Sequence, residues 1–305
     1  MTLPDPTWGA LPAAAQRPPS AWPLTAGAMV PAPGPWRLTI VGILRSELRK
    51  LTTMTSTWVL LGLSLALGLY TTASVSGVMS SVLGPILDTM YVPWDGITLV
   101  SQTMISAPVY PGALMALLGI IAITNEYDSG MIRTTLTVAP ARWPALTAKV
   151  VVVAAFAFLS TLVGEFLGAL IAKARLGSSA RFDLFTGPGL HVWCGSALVV
   201  MLLALMGLAF GVLLRTTAWA VLTFLLGVML VLPFLVIVVS SGSANAPWAF
   251  WHVPAAAAVF VYAGPFIHSL GGTPPVGTLG AIGTMLAWTL VPLAGAYLSF
   301  LRRDA

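Results

Sequence analysis

Glu126, Asp128 and Arg133 fall within eight residues of one another in NEYDSGMIRTTL (125–136), directly behind the apolar run GALMALLGIIAIT. Opposite charges at that spacing, with Ile132 and Leu136 four apart among them, suit recognition better than bond making. Charges fix the register of a contact, while apolar residues one helical turn apart fill a groove. A second chemistry-bearing residue is Glu165 in LSTLVGEFLGALIA. A carboxylate inside an apolar helix is unfavourable by some kcal/mol unless it meets a wet cavity or a partner. Glu165 is therefore a candidate for a translocation pathway; the alternatives are an ion pair with Lys173 or Arg175, or snorkelling to the headgroups. The single cysteine, Cys194, excludes an internal disulfide and is expected to pack as a small hydrophobe. His252 lies in a stretch where a histidine is more simply wet than a ligand.

Several enzyme classes have no support. The chain has no G-x-x-x-x-G-K-[ST] to cradle ATP phosphates, no H-E-x-x-H and no G-x-S-x-G, and of its three histidines His252 and His268 are far from Cys194 in sequence. No catalytic residue, metal site or bound cofactor is expected on this chain.

The elements that must carry these residues are membrane helices. The 305 residues are 58% hydrophobic and only 8% charged, whereas a water-facing surface needs roughly a quarter of its residues charged. Mean hydropathy is +0.94. No formal charge occurs between Lys50 and Asp88, Asp95 and Glu126, or Asp183 and Arg215. Each interval exceeds the about 20 residues needed to cross a bilayer. From Thr216 to Leu301 there is no Asp, Glu, Lys or Arg at all, and SSGSANAP divides this stretch. The expected fold is an all-α polytopic membrane protein with six spans, near 58–79, 104–124, 146–172, 190–214, 218–239 and 279–301.

Charge sets the orientation. With the amino terminus inside, Arg17, Arg37, Arg45, Arg49, Lys50, Arg133, Arg142, Lys149, Arg215, Arg302 and Arg303 lie in the cytoplasm, which is 11 of the 14 bases. This is a firm positive-inside bias that places both termini and the 125–136 stretch inside. Lys173, Arg175 and Arg181 run against it. The net charge of +5 is scattered over span flanks and forms no basic stripe, so no nucleic-acid partner is expected.

Residues 1–35 are rich in Pro, Ala and Gly without an apolar run, and read as a disordered cytoplasmic tail. In PWRLTIVGILRSELRKL the residues Trp36, Ile40, Leu44, Leu48 and Leu51 recur at helical spacing, with Arg37, Arg45, Glu47, Arg49 and Lys50 off that stripe. This predicts a basic amphipathic helix in the headgroup layer, in contact with membrane lipid. Beyond span two, Ser129-Gly130 predicts a helix stop, MIRTTLTV a brief surface helix, and Pro144 the first turn of span three. The 240–278 connection, with Trp248, Trp251 and Tyr262, is apolar enough to dip back to the outer leaflet.

The string NEYDSGMIRTTLTVAPARWPALTAK resembles the signature loop of permease subunits in the type-2 export class of ATP-binding-cassette (ABC) transporters. It has an acidic residue, Gly, a basic residue, a Leu-containing turn, Pro-x-Arg, and Lys entering the next span. LRSELRKLTTMTSTWVLLG is similar to that class's amphipathic connecting helix, and the layout agrees over residues 36–303. The resemblance implies that Glu126, Tyr127, Asp128, Gly130, Ile132, Arg133, Leu136 and Arg142 belong to, or brace, a coupling element docking on a separate ATPase subunit, which would hold ATP and Mg. It further implies a dimer with a second permease chain, homo- or heteromeric, and a re-entrant outer hairpin before span six. The nearly charge-free spans point to a lipophilic or amphipathic cargo. Arg-over-Lys bias with abundant Ala, Pro and Gly points to a bacterial cell membrane. Two other readings stand beside it: an ion-driven secondary transporter, for which Glu165 would be the acid, and a non-transporting membrane anchor for a cytoplasmic partner.

Overall fold

Long apolar stretches with internal hydrogen bonding leave the backbone one solution in a bilayer, the helix, and no strand occurs among the described residues. The computed structural model describes residues 39–83, 100–131, 143–177, 180–240, 254–269 and 277–302. The expected tail at 1–35, Trp36, Ile132, Arg133, Leu136 and Arg142 lie outside the described residues. Six helices are long and apolar enough to cross a membrane: Thr55–Ser81, Met104–Asp128, Trp143–Leu176, Gly187–Leu214, Thr217–Leu235 and Gly277–Arg302. Each overlaps one of the six expected spans, so the chain is a multi-pass membrane protein by length and composition.

In chain order, α1 is Ile40–Thr53, α2 is Thr55–Val78, α3 is Val109–Asp128, α4 is Trp143–Leu176 and α5 is Gly187–Leu214. Helix α6 runs through three consecutive segments, Thr217–Val221, Leu222–Val231 and Leu232–Ser240; α7 is Pro254–Ser269 and α8 is Gly277–Arg302. Helix α1 begins at Thr39, whose hydroxyl accepts from the Gly42 amide at 3.2 Å, a side-chain cap of the usual kind. It ends at Met54, where an extended backbone turns the chain into α2. Trp58 of α2 reaches back to donate to the Thr52 carbonyl at 2.7 Å, satisfying one acceptor that the end of α1 leaves open.

The middle of α6 is wound as a π-helix, with the Leu232 amide bonded five residues back to Gly227. Pro233 supplies a physical reason: it has no amide for the Met229 carbonyl, and a wider turn relieves the clash of its ring with that carbonyl.

Helices α3 and α5 form the centre, while α2, α4, α6 and α8 leave much of their apolar surface uncovered by the chain. Glycines set the closeness of the central pair. A Cβ on Gly119 would collide with the Ala204 carbonyl, one on Gly207 with the Ala116 carbonyl, and one on Gly211 would stand 2.6 Å from Ile123 Cγ2. The backbones are therefore in direct contact, as small residues permit in membranes. Gly207 and Gly211 stand one turn apart on the contacting face of α5, and Gly119 completes the contact from the other helix. Gly164 and Gly168 of α4 do the same against Leu65 and Thr72 of α2, less tightly. Cys194 departs from expectation: it lies exposed on α5 instead of packing inside the chain.

Candidate functional site

Helix α4 has 34 residues, about 50 Å of rise, against a hydrocarbon core of about 30 Å. Its ends therefore overshoot the apolar layer. Lys149 is near the first end and Lys173 near the last, and both meet polar partners there.

At the Lys149 end, four charged side chains from three elements form one network. The Lys149 ammonium donates to Glu47 Oε2 at 2.6 Å, to Glu126 Oε1 at 2.9 Å and to the Ala122 carbonyl at 3.2 Å. The Lys50 ammonium donates to Glu47 Oε1 at 2.6 Å and to Glu126 Oε1 at 3.0 Å. Two carboxylates and two ammoniums thus neutralise one another, and each Glu47 oxygen has its own lysine. Glu47 and Glu126 are each 4% exposed and Lys149 is 6% exposed, so the charges are desolvated as well as paired. Burial pushes the Glu47 carboxyl up, but Lys149 and Lys50 together outweigh it and hold the group below its ordinary value. Burial likewise pulls the Lys50 ammonium down, and Glu47 and Glu126 more than reverse this, leaving it raised. Removing one member of such a buried set would leave an uncompensated charge, a loss of about 3–5 kcal/mol.

The sequence folds locally to permit this. In α1, Glu47 and Leu51 are four residues apart on one face and both are buried, while Arg45, Leu48 and Arg49 are exposed. Ile40 and Leu48 of the apolar stripe are left uncovered by the chain, while Glu47 and Leu51 face the other helices. Turned this way, Glu47 enters the interior paired with two ammoniums instead of as a lone buried charge. On α3, Glu126 stands four residues after the buried Ala122, so the same face carries it to the network.

Around the network the other helix ends meet. Arg215 closes α5 in the left-handed region, φ 59°, where glycine is the default, and its guanidinium lies 5.5 Å from the centre of the Tyr127 ring. The Thr217 hydroxyl bonds Thr124 at 2.8 Å and Asp128 at 3.3 Å, which brings the start of α6 to the end of α3. The Tyr297 hydroxyl of α8 donates to Thr147 of α4 at 3.0 Å. Asp128, Ser129 and Gly130 are exposed, and Gly130 has φ +68°, the expected glycine stop. A cavity of about 620 Å³ opens beside the network, with Leu51, Met54 and Val152 on its apolar side and Asn125 and Asp128 on its polar side.

The structure thus brings together Glu47 and Lys50, expected on an interfacial helix, with Glu126, expected on the loop. Lys149, noted only as a base entering span three, is the residue that joins them. The signal available was its position on the apolar course of α4, where an unpaired ammonium would be costly. Glu165 lies apart, buried on α4. No group of three or more His, Cys, Asp or Glu side chains fit to hold a metal occurs among the described residues. No protein-family model matches the chain, and no curated protein matches it.

Proposed function

We propose that the chain is the permease subunit of an ATP-driven ABC exporter in a bacterial cell membrane. In this reading it moves a lipophilic or amphipathic substrate with energy from a separate ATPase subunit and pairs with a second permease chain. The observation that carries the reading is the neutral Glu47–Lys50–Glu126–Lys149 network. It binds α1, the end of α3 and the start of α4 into one unit on both sides of the 129–142 connection. A push on that connection would reach α3 and α4 together, which is what a coupling element requires. Glu126 then acts as a brace for the element, while the exposed Asp128, Ser129 and Gly130 face the partner. The loop resemblance supplies the partner's class.

The test uses the tagged chain recovered from its native membrane and reconstituted in vesicles. It is expected to bring with it a subunit that hydrolyses ATP, and the double variant Asp128→Asn/Arg133→Gln, which leaves the buried network whole, is expected to retain hydrolysis while losing ATP-driven efflux. A chain that powers efflux alone would overturn the reading, as would a double variant that transports normally. Ion-driven transport is the second reading, favoured by Glu165, a lone buried acid within span three.

A further inference from the structure

Glu165 stands eight residues before Lys173, about 12 Å along α4, too far for the ion pair that its sequence neighbourhood allowed. Lys173 instead donates to the carbonyls of Gly177 and Ala180. The Glu165 side chain is 4% exposed, and its Oε2 has no hydrogen-bond partner among the described residues. It lines a cavity of about 20 Å³ together with Ser64 and Gly68 of α2, Ala107 ahead of α3, and Ser160 and Thr161 of α4. That volume admits one water-sized sphere.

The α4 hydroxyls that line the cavity turn their protons to the backbone. Ser160 and Thr161 give their hydroxyl protons to the Ala157 carbonyl at 3.1 and 2.8 Å. Ser196 of α5 lies within hydrogen-bond reach of both the Trp193 carbonyl, at 3.0 Å, and the Glu165 carboxyl, so a donor serves one carboxyl oxygen while Oε2 stays without a partner among the described residues. The Ala107 carbonyl would be matched in a helix by the amide four residues on, which is Pro111 and has none. A carboxyl facing oxygen lone pairs across a one-water void is a donor set that asks for positive charge. Oxygen ligands without imidazole or thiolate favour a hard ion over a transition metal. One carboxylate balances one charge; a divalent ion would leave an excess in a low-dielectric interior.

From this geometry we infer that Glu165, with the oxygens of Ser160, Thr161 and Ala107, binds one monovalent alkali cation between α2, α3 and α4. Glu165 is the ionisable group among the described residues lining the cavity, and Tyr262 of α7 is the titratable side chain whose field it shares. The site is independent of the exporter reading, because it is built on α4 and α2 away from the charged end. Each can fail without the other.

The experiment uses the full chain purified in detergent at pH 8. Its thermal unfolding midpoint is followed as NaCl or KCl replaces N-methyl-D-glucamine chloride at constant ionic strength. A saturable rise of several degrees with an alkali ion is expected, and its half-saturating concentration should increase up to tenfold per unit of pH lowered once protons compete. Glu165→Gln should abolish the saturable rise, and Thr161→Val should shift half-saturation about tenfold upward. Where Glu165→Gln does not fold, the wild-type titration decides. A midpoint indifferent to the replacement of the organic cation, or one that follows pH alone, overturns the site.

Discussion

Lys149 makes three hydrogen bonds from one ammonium, two to carboxylates that come from other helices. Lys149→Met would strand the Glu47 and Glu126 charges, so it is expected to destabilise the chain by about 3–5 kcal/mol, read as a lowered unfolding midpoint in detergent. Glu47→Gln combined with Lys149→Gln should lose less than the two single variants added together, by about 0.5–3 kcal/mol, since each single leaves a charge that the double removes. The network also fixes a pH range. The carboxyl of Glu47 is lowered in the folded chain, so its contribution is full above the unfolded carboxylate value near 4.5 and is lost as pH falls through the lower folded value. Lys50 is raised from 10.5, so its contribution is full below that value and disappears only as pH rises through the higher folded one. Stability at this end is expected to be flat through neutrality and to fall below about pH 4.5, with Glu47→Gln blunting the acid limb. None of this pairing was legible in the sequence. Lys149 is separated by 102 residues from Glu47 and by 23 from Glu126, and residue types alone do not say which lysine meets which acid.

At the scale of elements, the sequence was most legible where one rule dominates. Charge-free intervals located five of the six helices, because hydrocarbon disfavours formal charge regardless of what the helix packs against, and α4, which carries Lys149 and Glu165, was found from its apolar course alone. The Ser129-Gly130 stop was legible for a similar reason, a local backbone demand. The burial of Glu47 on α1 was not, since it depends on Lys149, which α4 brings from far along the chain. Glycine spacing was ambiguous, as glycine is common in membrane helices, and the structure resolves it by showing what each Cβ would strike. Gly207→Leu should separate α3 from α5 and sharply reduce the folded yield. Gly187→Ala, with open space around it, should be tolerated. Near-wild-type chromatography of Gly207→Leu would argue against the backbone contact.

For the whole molecule, orientation is the property that composition addresses and helices alone do not. The charged end gathers Lys50, Lys149 and Arg215, three bases assigned to the cytoplasm by the positive-inside bias. At the opposite end Ser101 bonds the buried Asp183 through its amide at 3.0 Å and through its hydroxyl, ahead of α5. Cys194 is the sole cysteine, so Cys194→Ser gives a clean background. In it, Ser129→Cys should react with an impermeant maleimide only after cells are opened, and Phe185→Cys should react in intact cells. The reverse pattern would invert the topology.

The meshing of Gly119 with Ala204 and of Gly207 with Ala116 has a mechanical corollary. Two rods whose main chains touch cannot slide or splay without first prising out their interlocked notches, so α3 and α5 behave as a single beam. In the proposed exporter, a stroke delivered near Glu126 would swing that beam whole. Spectroscopic rulers placed along α3 and α5 should keep constant spacing through a working cycle, while rulers from either of them to α2 or α4 lengthen and shorten.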